Sequence, residues 1–134
     1  MQNKVLSAYR KVQAQTAGPG QKIVMVYDGI IKNIKTAITE LQDVKPENME
    51  RIHNCIQLAE RLVLELRLAL DKEKGGDVAK TLDGLYDFWI RHLSDANVKK
   101  DPKMLDEVLV MVQDLRDTWA KAADEHRKSS PSGQ

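Results

Sequence analysis

The stretch Leu70–Asn97, LDKEKGGDVAKTLDGLYDFWIRHLSDAN, decides the fold. Val78, Leu82, Leu85, Trp89, His92 with Leu93, and Ala96 recur at steps of three and four, which places them on one face of a helix. Gly75-Gly76 ahead of them reads as a hairpin turn, with glycine supplying the positive-φ end of the preceding helix. On this count Tyr86, Phe88 and Ile90 fall off the core face. A helix with a complete core stripe and spare aromatic side chains points to a surface that meets something besides its own bundle.

Upstream, Pro46 opens a helix with Glu47 and Glu50 in its first turns, where carboxylates favour the positive end of the helix dipole. Met49, Ile52, Ile56, Ala59, Val63, Leu66 and Leu70 make a nearly regular heptad seam. Cys55, Leu58, Leu62 and Ala69 then widen the apolar arc to roughly 180°, on one flank only, where a bundle helix needs somewhat over ~100°. Leu64 and Leu68 fall outside even that arc.

Before this helix, Gly18-Pro19-Gly20-Gln21 starts another that runs to about Gln42, with Ile23, Tyr27, Ile30, Ile34, Ile38 and Leu41 as its stripe. Gly29 inside it costs ~1 kcal/mol relative to alanine, so a close helix approach is expected there. After Asn97, Asp101 reads as the N-cap of a last helix that begins at Pro102 and carries Leu105, Val108, Val112, Leu115, Trp119 and Ala122. Four amphipathic helices with short connections predict an all-α fold, an antiparallel four-helix bundle. Residues 1–17, with Val5, Leu6, Tyr9 and Val12 on one side, are too short to hold a helix unaided and read as an N-terminal cap. The bundle domain spans 18–127, and the polar stretch 128–134 reads as a disordered tail.

Composition narrows the function. The 134 residues suit one domain, and 21 basic against 20 acidic side chains leave +1, which argues against nucleic acid as a partner. No apolar run approaches ~18 residues, so membrane insertion is not expected. No secretory signal is visible, and a single cysteine, Cys55, favours a reducing compartment such as the cytosol.

Chemistry is scarce. Glu50-Arg51-Ile52-His53 matches one Glu-x-x-His element of a carboxylate-bridged metal site, but no second copy exists. Gly75-Gly76-Asp77-Val78-Ala79-Lys80-Thr81 lacks the glycine before the lysine and the preceding strand of a phosphate loop. Cys55, His92 and His126 stand apart, so no nucleophile–base pair can be named. An enzyme, a metal site and a cofactor are therefore not expected. Tyr27-Asp28 and Tyr86-Asp87 repeat a pair near the middle of two helices, with Arg116-Asp117 in the fourth. They either fix the packing register or hold a peptide backbone.

The motifs Gln13–Gln21 (QAQTAGPGQ), Val26-Tyr27-Asp28-Gly29, Leu70–Gly76, Leu82–Asp87 (LDGLYD), Arg91–Asn97 (RHLSDAN) and Leu115–Trp119 (LRDTW) occur in one order along the chain. Together they resemble the flagellin-specific export chaperone family (FliS), from about Ala8 to Ala122. The resemblance implies a cytosolic helical bundle that binds the disordered C-terminal segment of flagellin and prevents premature filament assembly. It also implies engagement of the cytoplasmic domain of the flagellar type III export gate. The N-terminal segment, with Leu6 and Tyr9 matching the family's apolar and tyrosine positions, is implied in the apo state and the handover. Glycine at position 18, where the family often has serine, and the tail beyond Arg127 depart from that pattern.

Taken with the surplus flank, this places an expected client groove between Leu58, Leu62 and Ala69 on one wall and Tyr86 and Ile90 on the other, with Val5, Leu6 and Tyr9 folded over it. A rival reading has the same stripe serve only for dimerisation.

Overall fold

The computed structural model describes residues 19–129. Four helices follow one another: α1 (Pro19–Leu41), α2 (Met49–Leu68), α3 (Lys72–Lys99) and α4 (Pro102–Ser129), with a single 3-10 turn, Pro46–Asn48, before α2. α1 packs against both α2 and α4, and α2 against α3, while the α3–α4 seam is the least extensive of the four. Short connections force each helix to run back along its predecessor, which gives the expected antiparallel bundle. The cap residues Val5, Leu6 and Tyr9, the glycine at position 18 and residues 130–134 lie outside the described residues. The α4 backbone stays helical to Ser129, past the expected start of the tail.

The core follows the apolar stripes closely. Ile23, Tyr27, Ile30 and Ile34 of α1, Ile52, Ile56, Ala59 and Val63 of α2, and Leu105, Val108 and Val112 of α4 are fully buried. Ala37 takes the inner position in the last turns of α1, and Ile38 and Leu41 are half-buried around it. Met49 was expected in the core but is exposed, because it sits in the first turn of α2 at the open end of the bundle.

α3 corrects two expectations. The α2–α3 turn is Ala69–Asp71 rather than Gly75-Gly76, and the Asp71 carboxylate accepts from the Lys74 N–H to cap a fresh helical turn. That turn breaks at Gly76, whose φ of 55° and ψ of −132° suit glycine alone, and the long body of α3 follows. The core stripe is also rotated from the one expected. Ala79, Leu82, Tyr86, Trp89, Leu93 and Ala96 are buried, while Val78, Leu85 and His92 are only half-buried. The helix turns its Tyr86 side inward because α2 packs closely on that flank, whereas the slim α4 seam leaves the Leu85–His92 side partly open.

Tyr86 is thus a core residue. Its hydroxyl meets that of Tyr27 at 2.7 Å, joining α3 to α1 across the bundle interior. Trp89 stands edge-on to the Tyr27 ring at 6.2 Å, and Trp119 of α4 lies 6.4 Å from it. Burial, then the neighbouring Tyr86, holds the Tyr27 hydroxyl well above its ordinary pKa.

Charged side chains clasp the seams from outside. Arg67 of α2 reaches Asp83 at 2.8 Å and Asp87 at 3.0 Å on α3, and Arg116 of α4 reaches Asp28 of α1 at 2.8 Å. Such half-exposed pairs add little stability but fix which residues stand opposite each other. Asn97, also buried, donates to His53 Nδ1 at 3.0 Å and accepts from Lys100 Nζ, tying the α3–α4 turn to α2. Asp101 caps α4 through the Lys103 N–H at 2.9 Å, as its position predicts.

Two glycine-to-alanine changes should have opposite signs in urea unfolding. A Cβ at either Gly76 or Gly84 meets nothing within 4 Å, so packing is silent at both. Gly76→Ala should cost about 1–2 kcal/mol through its left-handed backbone, and Gly84→Ala should stabilise by about 0.5–1 kcal/mol through helix propensity. Tyr27→Phe should cost about 1–2 kcal/mol, and the double change with Tyr86→Phe should cost less than the two singles together. A hydroxyl that ionises later folded than unfolded contributes its full share below pH ~10 and loses it above. The alkaline fall in stability measured by circular dichroism should therefore shrink in Tyr27→Phe.

Candidate partner-binding surface

α2 is the helix with more apolar side chains than its core seam uses, and the structure divides that surplus among three places. Leu62 faces α1, where a Cβ on Gly29 would lie 3.1 Å from Leu62 Cδ1. The missing side chain at Gly29 is what lets Leu62 settle against α1, as the glycine's position inside a helix suggested. Ala69, seven residues on, shares this side and is half-buried. Leu58 stands at the rim with 43% of its surface exposed.

Below it, a cleft of about 400 Å³ runs between the two helices, lined by Asn33 from α1 and by Glu50, Asn54, Cys55 and Leu58 from α2. Burial pushes the Cys55 thiol up in pKa, which keeps it protonated and a poor nucleophile. A second cleft of about 400 Å³ opens between Gln21, Val24 and Met25 of α1 and Ala120, Ala123 and Asp124 of α4. Met25, 65% exposed, borders it.

The second wall expected for the groove is not opposite the first. Ile90 shares a helical register with Asp83, Asp87 and Asn97, which all bond to α2, so it borders the α2–α3 seam. That seam carries the Arg67 ion pairs and the half-buried Glu60, whose carboxyl is raised in pKa by burial. Tyr86 lies beneath, fully buried, with its hydroxyl on Tyr27. Leu58, Leu62 and Ala69 thus belong with α1, Ile90 borders a different seam, and Tyr86 lines no surface at all.

Leu64 and Leu68, 43% and 75% exposed, form the third part of the surplus, on the outer side of α2. Phe88 of α3 is also exposed and stacks on His92 at 5.1 Å, and His92 reaches Glu107 of α4 at 3.0 Å. Met25 and Val110 were missed in the sequence reading, although both stand off their helices' apolar stripes and could have been flagged on that ground. His53, the imidazole of the Glu-x-x-His element, is engaged by Asn97. No group of three His, Cys, Asp or Glu among the described residues is placed to hold a metal ion. No described helix is long and apolar enough to cross a membrane. The exposed Met25, Leu58, Leu64, Leu68 and Phe88 leave apolar surface outside the core.

Comparison with known proteins agrees in character. The family model described as flagellar protein FliS matches residues 1–126. The flagellar secretion chaperone FliS of Vibrio cholerae is 32% identical over 126 residues, covering 90% of each chain. That of Bacillus subtilis is 33% identical over 122 residues, or 91% of this chain and 88% of its own. The Escherichia coli protein of the same name is 24% identical over 124 residues, with 89% of each covered. With a match that leaves out only the last residues of α4 and the tail, the chain belongs to the FliS family of flagellar proteins.

Proposed function

We propose that this chain is a cytosolic secretion chaperone for flagellin. It binds the disordered C-terminal segment of the newly made subunit, keeps it from polymerising early, and carries it to the cytoplasmic domain of the flagellar type III export gate. The observation that carries this reading is the apolar surplus of α2. The core is complete without Leu58, Leu64 and Leu68, and these leucines remain exposed. Exposed apolar surface on a monomer marks an interaction site, and the relatives' role supplies the kind of partner.

The client groove is best drawn along α1 and α2, with Leu58, Leu62 and Ala69 on one side and Asn33 on the other. Ile90 offers a second foothold on the α2–α3 side. Tyr86 serves the client indirectly, by fixing through Tyr27 how α1 and α3 stand. Val5, Leu6 and Tyr9 cover part of the groove in the free protein and leave it when the client arrives. A client that orders on binding loses about 2–5 kcal/mol or more, so contact over a long stretch is required, and several shallow clefts serve that better than one deep pocket. No step of this work calls for a catalytic residue or a cofactor.

Calorimetric titration with a flagellin C-terminal peptide of about forty residues tests the reading, since a long apolar interface gives saturable binding with a negative heat-capacity change. A folded protein that binds no peptide would overturn it. Leu58→Glu should weaken binding by about tenfold or more, roughly 1.4 kcal/mol, whereas Tyr86→Phe should leave affinity within about threefold. Removing residues 1–12 should tighten peptide binding or promote self-association, and no change in either would exclude the covering role.

A further inference from the structure

Across the bundle from α1–α2, the slim seam between α3 and α4 leaves an apolar groove of its own. The His92–Glu107 contact at 3.0 Å sets its register. Phe88 and Leu85 precede His92 by four and seven residues, and Met111 and Asp114 follow Glu107 by the same steps. On antiparallel helices these two lines run side by side, with Phe88 level with Met111 and Leu85 level with Asp114. Leu85 and Met111 are half-buried. Phe88 is 42% exposed, and Val110, on the outer lip one turn from Glu107, is 59% exposed.

The charge beside this groove has one sign. Between Lys103 and Lys121, the exposed charged side chains of α4 are Asp106, Glu107, Asp114 and Asp117, all acids. Arg116 among them is half-buried and reaches Asp28 of α1 at 2.8 Å. Asp106 and Asp114 form no ion pair with any described residue. On the α3 wall Leu85 and Phe88 bring no charge, and Arg91 is taken by Asp87 at 2.6 Å. Asp114 and Asp117, three residues apart, repel each other along the helix, so the fold gains nothing from the set.

We propose that the α3–α4 groove receives an amphipathic helix of another protein, one that carries lysines or arginines beside its apolar stripe. The stripe covers Leu85, Phe88, Val110 and Met111, and the cations answer the acids of α4. Those acids turn away nucleic acid, anionic lipid and a second copy of the same face, which leaves a basic segment as the occupant that fits. The groove lies on the opposite side of the bundle from α1–α2 and stays open when that side is filled. A consequence that rests on the chaperone reading is that one chain holds its client and a second protein together.

Nuclear magnetic resonance titration of the isotope-labelled full chain tests this, with a synthetic helical peptide of about eighteen residues, leucine on one stripe and lysine beside it. Amide shifts should gather on α3 from Leu85 to His92 and on α4 from Asp106 to Asp117, with a Kd of about 10–100 µM at low salt that rises as salt is added. Val110→Ser and Asp114→Lys should each weaken binding by about fivefold or more, and the peptide with glutamate in place of lysine by about tenfold or more. Both side chains are exposed, so the variants keep their fold, which circular dichroism verifies. Shifts confined to α1 and α2, equal binding by the variants or by the glutamate peptide, or no binding at about 1 mM overturns the proposal. Adding the flagellin C-terminal peptide separates the two readings. An unchanged Kd with both peptides bound supports two separate grooves, and displacement of one by the other rules them out. If the flagellin peptide fails to bind while Asp114→Lys still weakens the basic one, the chaperone reading falls and the α3–α4 groove stands.

Discussion

Tyr27 and Tyr86 hold the bundle to one arrangement. Two buried hydroxyls must find partners, since leaving either unpaired in the core costs about 1–3 kcal/mol. Here they find each other at 2.7 Å, from helices that lie diagonally across the bundle. A small slide or rotation of α1 or α3 would break that contact, whereas apolar neighbours alone would tolerate it. The two tryptophans pack around the pair, so most of the chain's aromatic mass sits where register is decided. Of the two roles open to the Tyr-Asp repeats, the tyrosines take the structural one. Their aspartates follow on the outside, where Asp28 binds Arg116 and Asp87 binds Arg67. Each Tyr-Asp pair therefore fixes its helix at two depths.

That arrangement settles what the seams can do. Along α2–α3 the contact is charged, and the Arg67 carboxylate pairs close it over. Along α1–α2 it is apolar and tight at Gly29–Leu62, then opens into a cleft beside Cys55 and Leu58. The two flanks of one helix so receive different chemistry. A partner segment that needs apolar contact is directed to the α1 side and to the outer face, because ion pairs occupy the other flank.

Much of this was legible in the sequence because periodicity reports burial directly. The stripes of α1, α2 and α4 place Ile23, Ile30, Ile56, Val63, Leu105 and Val112 in the core, where they are found. Gly29 predicted a close approach, and Asp101 a cap. The stripe of α3 was misread because its helix carries apolar residues on two overlapping faces, one through Leu85 and one through Tyr86. Which face turns inward depends on how closely α2 and α4 pack on either side, and no local pattern records that. The same cause set the two expected walls of the groove on different seams. Leu62 and Ile90 are each correct as apolar positions off the seam, but whether they share a wall depends on which neighbour each flank meets. Glycine misled for a related reason, since Gly75-Gly76 resembles a helix end and the chain instead turns earlier, at Ala69–Asp71, and starts again on an Asp71 cap.

The surplus on α2 remains the feature that the fold itself does not need. A helix between two neighbours has a core face, two flanks and an outer face, and α2 places leucine on its core face, its α1 flank and its outer face. Stability explains the core face, and close packing against α1 explains Leu62. Neither explains Leu68, three-quarters exposed at the end of the helix, or Leu58 at the lip of the cleft. Exposed leucine brings a risk of aggregation with no return in folding energy, because the side chain stays in water in both states. Its return must come from an encounter. The disordered client proposed above would be such an encounter.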